Sequence, residues 1–168
     1  MGKGILMALL LLAGCRNHRP IDELSSAAAN NDLHRLNALL DAGADPNARG
    51  DHGITPLATA ARAGAMDAIA LLVRRGADPN LRCGVNGWTP LMHAIHKSQT
   101  GSLRALIAAG ADVNATGAGC KTPLMMAAGY GYADMISLLT GNGADAAAEL
   151  PKFRGCAAVA MLTGQKIQ

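Results

Sequence analysis

The feature that most constrains this chain is a double repeat. Gly-Ala-Asp occurs at 43–45, 76–78, 110–112 and 143–145, in steps of 33, 34 and 33 residues. Asn follows two residues after the first three triplets, at Asn47, Asn80 and Asn114. Thr-Pro-Leu occurs at 55–57, 89–91 and 122–124, and each Thr lies 21 residues before its own Gly-Ala-Asp. Two unrelated motifs on one period mean a repeated structural unit. A unit this short cannot bury a core alone, so neighbours must stack.

The residues between the motifs predict what each unit is. Thr opens a helix as N-cap, and Pro fits the first helical position, where no N–H is needed. Ala60 and Ala61 allow close approach, Gly64 suits a left-handed turn, and a second helix carries Ile69, Leu71 and Leu72 into the stack. Gly76 ends that helix as a C-cap, and the residues from Asp78 to Trp88 make a hairpin-like finger. Aromatics are only 2% of a chain that is 50% hydrophobic. A core of Ala, Leu, Ile, Val and Met suits closely spaced helices better than a sheet. The first unit is degenerate, with Asp22-Glu23-Leu24 in place of Thr-Pro-Leu and Asn31 in place of the turn Gly. The last is cut short, so Phe153–Gln168 is expected to be one closing helix and a tail. Ser98 replaces the turn Gly of the middle unit, where a looser turn is expected, and the finger before Thr89 has one extra residue.

Gly53-Ile54-Thr55-Pro56-Leu57, Ala60-Ala61, Gly64, Leu71-Leu72 and Gly76-Ala77-Asp78-Pro79-Asn80 together resemble the ankyrin-repeat family. The resemblance runs from about Ile21 to the C-terminus. It implies an all-α solenoid of helix-turn-helix units with β-hairpin-like fingers over 21–168: an N-terminal cap repeat, three full repeats and a truncated C-terminal cap. It also implies a protein partner, bound by the finger tips and the exposed ends of the first helices. Mapped onto this chain, that surface comprises Asp51, His52, Ile54 and Arg62, then Val85, Asn86, Trp88, His96 and Lys97, then Lys121 and Tyr130, and finally Lys152 and Phe153. Of the four aromatics, Trp88 and Tyr130 fall on this face and Phe153 borders it, while Tyr132 falls at a structural position. Trp and Tyr are favoured interface anchors. Arg62, Lys97, Lys121, Lys152 and Arg154 outweigh Asp51 there, so the expected partner patch is acidic.

The N-terminus reads separately. Lys3, the apolar run Ile5–Ala13 and small residues at its end make a secretory signal, too short to span a bilayer. Leu12-Ala13-Gly14-Cys15 closely resembles the lipobox of bacterial lipoproteins. That resemblance implies a signal peptide over 1–14, a lipid-modified Cys15 and a tether over 15–20. More than one acyl chain makes such anchoring stable. Arg16, rather than Asp, follows the cysteine, which points to the inner leaflet of the outer membrane, facing the periplasm. Export permits disulfides. Cys83 and Cys120 fall in successive fingers and are expected to be able to bridge, whereas Cys156 is expected to stay buried and free.

Other chemistry finds little footing. The net charge of +3, without a Lys/Arg-rich run, gives no argument for nucleic acid. No Gly-x-Ser-x-Gly, His-Glu-x-x-His or phosphate-cradling loop is present, so neither catalysis nor a cofactor is expected. His93 and His96 have a spacing a metal could use but lack neighbouring acids, and no metal is expected. His93 is expected at the edge of the stack and His96 towards solvent or partner. Met92, Met125 and Met126 are expected in the core. Small ankyrin lipoproteins resembling this one neutralise secreted phospholipase effectors, which implies an immunity protein or inhibitor. The alternative is an envelope scaffold docking a resident periplasmic protein.

Overall fold

The computed structural model of the chain describes residues 20–145. The expected signal peptide, Cys15, Lys152, Phe153, Cys156 and the expected closing helix lie outside the described residues. The described residues form eight α-helices: α1 Pro20–Ala29, α2 Leu33–Asp41, α3 Pro56–Ala63, α4 Met66–Arg74, α5 Pro90–His96, α6 Thr100–Ala108, α7 Pro123–Tyr130 and α8 Ala133–Gly141. Each odd-numbered helix packs on the next odd-numbered one, and the even-numbered helices form a second row behind them. This is the all-α stack of helix pairs that the period predicts.

The motif residues act as expected. Thr55, Thr89 and Thr122 accept from the backbone N–H groups of Ala58, Met92 and Met125 at 3.3, 3.5 and 3.1 Å. Pro follows each as the first helical residue. Gly64 and Gly131 turn the chain at φ 82° and 74°. Ser98 adopts the same left-handed conformation at φ 57°. Its turn is closed by Gln99 N–H donating to Ala94 O at 2.9 Å, the counterpart of Ala65 to Ala60 at 3.1 Å. The middle turn is therefore no looser than its neighbours. Asn31 also takes a left-handed φ of 54°, and it does more than turn the chain. Its Oδ1 accepts from Ala68 N–H at 2.9 Å and its Nδ2 donates to Asp67 at 3.1 Å, capping α4 of the following unit. Ala65, at the N-cap of α4, has no side chain for that task.

The core runs between the two rows. Leu24, Leu36, Leu57, Ile69, Leu72, Leu91, Ile95, Leu103, Leu106 and Leu139 are fully buried, with Ala60, Ala61, Ala94 and Ala127 between them. Met92 and Met126 join this core, but Met125 is 45% exposed. Met92 is covered by the finger of the next unit, its sulfur lying 3.2 Å from where a Cβ on Gly117 would sit. Met125 occupies the same position in the last described unit.

The asparagines after Gly-Ala-Asp stitch unit to unit. Asn47 donates to Gly76 O at 2.9 Å and accepts from Asp78 N–H at 2.8 Å. Asn80 does the same with Gly110 and Asp112, at 3.3 and 2.7 Å, and Asn114 with Gly143 and Asp145, at 3.0 and 2.9 Å. Asn80→Ala removes both bonds at one junction. It is expected to lower the unfolding free energy by about 1–2 kcal/mol, water replacing part of the loss, as read from the urea midpoint.

Each finger is closed at its base by a backbone bond. Gly50 N–H donates to Ile54 O at 2.9 Å, Cys83 to Trp88 at 2.8 Å and Gly117 to Lys121 at 3.0 Å. The second closure spans one residue more, and the extra residue is absorbed in a tip with Gly84 and Gly87 at φ 70° and 55°. Fingers are joined to each other by Gly84 N–H to Gly53 O at 3.0 Å and Ala118 N–H to Asn86 O at 2.9 Å. The expected Cys83–Cys120 bridge does not form. Cys83 is buried at the base of its finger, opposite Trp88, whereas Cys120 is partly exposed at the end of the turn Ala118–Cys120 in the next finger. The Cys83 thiol is free and buried in the stack, and Cys120 is disulfide-bonded, so Cys83 is not its partner.

Candidate functional site

The first two fingers and the ends of α3 and α5 enclose a cleft of about 290 Å³. His52 and Ile54 come from the first finger, Val85, Asn86 and Trp88 from the second, Arg62 from α3 and His96 from α5. All seven belong to the surface that the family resemblance implies. Asp51 lies next door, in an adjoining cleft of about 280 Å³ shared with Asp22, His52, Ile54 and Arg62. Arg62 thus divides two hollows, one lined by carboxylates and one by imidazoles. Lys97 and Lys121 are exposed but line neither cleft.

A row of flat side chains continues from the cleft across the third unit. The Trp88 and His96 ring centroids are 5.2 Å apart, and those of His96 and Tyr130 are 5.9 Å apart. His96 Nδ1 and the Tyr130 hydroxyl share a hydrogen bond of 2.9 Å. Tyr130 then stacks on Tyr132, centroids 5.4 Å apart. Tyr132 is partly buried against the core, in keeping with its expected structural role. Tyr130 is 46% exposed, and Val85, at the second finger tip, is 87% exposed. An aliphatic residue so fully offered to solvent on a finger tip suits a contact surface.

Trp88, expected as an anchor on this face, also has a structural role. It packs against the core, meets the His93 ring at a centroid distance of 5.5 Å, and leans on the third finger. A Cβ on Gly117 would lie 2.7 Å from its Cδ1, so the absence of a side chain at Gly117 is what lets the indole lie there. Trp88 therefore both builds the wall of the cleft and presents an edge to it.

The mapping missed His93, the buried floor of the same cleft. Its Nε2 is buried without a hydrogen-bond partner. Burial, then the Arg62 charge, and last His96 push its pKa down to about 4, against a hydrogen bond to the Cys83 backbone that favours the protonated ring. Burial, Lys97 and Arg62 also hold His96 below the usual imidazole value. Both rings are neutral at neutral pH, and Arg62, Lys97 and Lys121 supply the positive charge of this face. Only position could have singled out His93, four residues after a capping Thr where its neighbours in the repeat carry Thr59 and Met126. Among the described residues no group of three or more His, Cys, Asp or Glu is arranged to hold a metal.

The profile described as "Ankyrin repeats (3 copies)" matches residues 24–117, more than half the chain, and "Ankyrin repeat" matches 120–149. The chain belongs to the ankyrin-repeat family. Ankyrin repeats are protein-interaction modules, generally without enzymatic activity. The chain is 33% identical over 114 residues to the B-cell lymphoma 3 protein homolog of Mus musculus, covering 66% of this chain and 25% of that protein. It is 39% identical over 113 residues to Protein PhlB of Serratia liquefaciens, covering 67% and 50%. It is 39% identical over 108 residues to neurogenic locus notch homolog protein 2 of Homo sapiens, covering 64% and 4%. The chain spans half or less of each of these ankyrin-containing relatives.

Proposed function

We propose that this chain is a lipid-anchored inhibitor or immunity protein that occludes a toxic effector, of phospholipase type, in the periplasm. The observation that carries the binding part is the row Val85, Trp88, His96 and Tyr130, exposed or partly exposed along the fingers and inner helix ends, with Arg62 in the cleft beside it. A broad apolar and cationic face suits capture of an acidic protein surface. The lipobox-like tetrad ending at Cys15 supports an outer-membrane anchor. The resemblance to small ankyrin lipoproteins that neutralise phospholipase effectors supports the class of partner. The short stretch from Arg16 to Pro20 would hold the module close to the bilayer, where a lipase acts.

Capture from envelope extract on the immobilised chain, followed by phospholipid-vesicle hydrolysis, tests this reading. The expected result is a recovered lipase whose activity falls to background at one equivalent of the chain. A recovered resident envelope protein whose activity is unchanged contradicts inhibition and favours the scaffold alternative. Cys15→Ser is expected to move the chain from the membrane fraction to the soluble periplasmic fraction. Wild-type mature chain found soluble there would contradict the anchor.

A further inference from the structure

The cleft between the first two fingers holds an arrangement that the packing of the stack does not use. His93 is 5% exposed, yet its Nε2 meets no donor or acceptor. A buried polar atom left so loses the compensation that water or a partner would give it. Everything else at that floor is occupied: the Trp88 ring stands edge-on to the imidazole, and Gly84 closes over it. Arg62 lines the same cleft, and among the described residues no Asp or Glu does. The Arg62 and His93 side chains thus line one hollow, and no described carboxylate lines it with them.

We infer that this cleft is the receptor for a single acidic side chain of the partner, its carboxylate held between the Arg62 guanidinium and His93 Nε2. This rests on the proposed protein-binding role of the finger face and names the chemistry recognised there. Charge-assisted bonds to a carboxylate are the strong ones, and a guanidinium fits both oxygens. With its neutral proton on Nδ1, the ring presents a lone pair at Nε2, which repels a carboxylate. A carboxylate can settle there only if His93 takes a proton from solvent and becomes an imidazolium donating from both nitrogens. The groups acting on that equilibrium are Arg62 and His96, with His52 lining the cleft and the Cys83 thiol buried beside it. The bound-state pKa of His93 is raised by the carboxylate, so affinity rises as pH falls through that raised value. It levels off once the free ring is itself protonated. Within that window the change approaches about tenfold per pH unit.

The test is histidine NMR on the whole chain, with N-acetyl-glutamate N-methylamide as probe and the matching glutamine compound as control. At saturating glutamate probe the His93 titration midpoint is expected to rise by about one pH unit or more, a tenfold or greater preference for the protonated form. The glutamine compound is expected to leave it in place, and Arg62→Gln is expected to abolish the rise. An unmoved midpoint with the glutamate probe overturns the inference, as does an equal shift with glutamine or an undiminished shift in Arg62→Gln. The amide spectrum of Arg62→Gln reports whether that variant is folded, and His96→Gln, which leaves both proposed ligands, should keep the rise. Failure here with partner capture still lost in Tyr130→Ala would remove this inference and leave the finger face standing. A shifted His93 with capture retained in Tyr130→Ala would do the reverse.

Discussion

Leu91→Ala is expected to lower the unfolding free energy by about 3 kcal/mol, as large an effect as any single truncation in this stack. Leu91 is fully buried on α5, the inner helix that packs on α3, α6 and α7 at once. Truncating it opens a cavity where two inter-unit junctions and one intra-unit junction meet. Stability in a repeat protein is close to a sum of unit terms and nearest-neighbour terms, so a loss at the middle unit weakens the links on both sides. Urea unfolding followed by circular dichroism measures the total. Fluorescence of Trp88, the chain's single tryptophan, reports the second finger. Leu91→Met keeps the volume and is expected to cost less than about 1.5 kcal/mol. A Leu91→Ala midpoint equal to that of Leu91→Met would contradict the assignment of α5 to the centre of the stack.

Tyr130→Ala is expected to weaken partner binding by about 2 kcal/mol, roughly thirtyfold, with little change in stability. Nearly half of this ring is open to solvent, and what it touches are Tyr132 and the exposed His96 rather than the core. Trp88→Ala is the less clean experiment. That indole supports the third finger and the core, so its loss changes the fold and the face together. Lys121→Glu should slow association and reduce its salt sensitivity, because rim charges act mainly on encounter. Arg74→Glu, exposed in the last turn of an outer helix, should alter neither quantity. Surface plasmon resonance against the captured partner separates the two rates. Tyr130→Ala binding as tightly as wild type would move the search to the outer helices.

The repeat was legible because its motifs act locally. Thr as cap, Pro as first helical residue and Gly as left-handed turn each do their work within a few residues, so spacing alone placed every junction. The core followed from the same period, since Leu91, Ile95 and their counterparts recur at fixed offsets from the cap. What stayed hidden depends on how one unit meets the next. Asn31 reads as a damaged turn but caps a helix of the following unit. Cys83 and Cys120 read as neighbours, yet Cys83 is buried in the stack and Cys120 lies in the turn of the next finger. Trp88 reads as a free anchor because nothing local reveals that Gly117, in the next unit, is shaped to receive it. His93 is the sharpest case. The helix puts it inside, and only the fingers above it leave its Nε2 without a partner.

The face itself is most directly tested by hydrogen–deuterium exchange on the chain alone and in complex with its captured partner. Protection is expected at the three finger tips, residues 51–54, 84–88 and 118–121, and at the α5 and α7 ends near His96 and Tyr130, with α4 and α6 unchanged. Protection confined to α4 and α6, with exchange at the finger tips unaltered, would contradict the account.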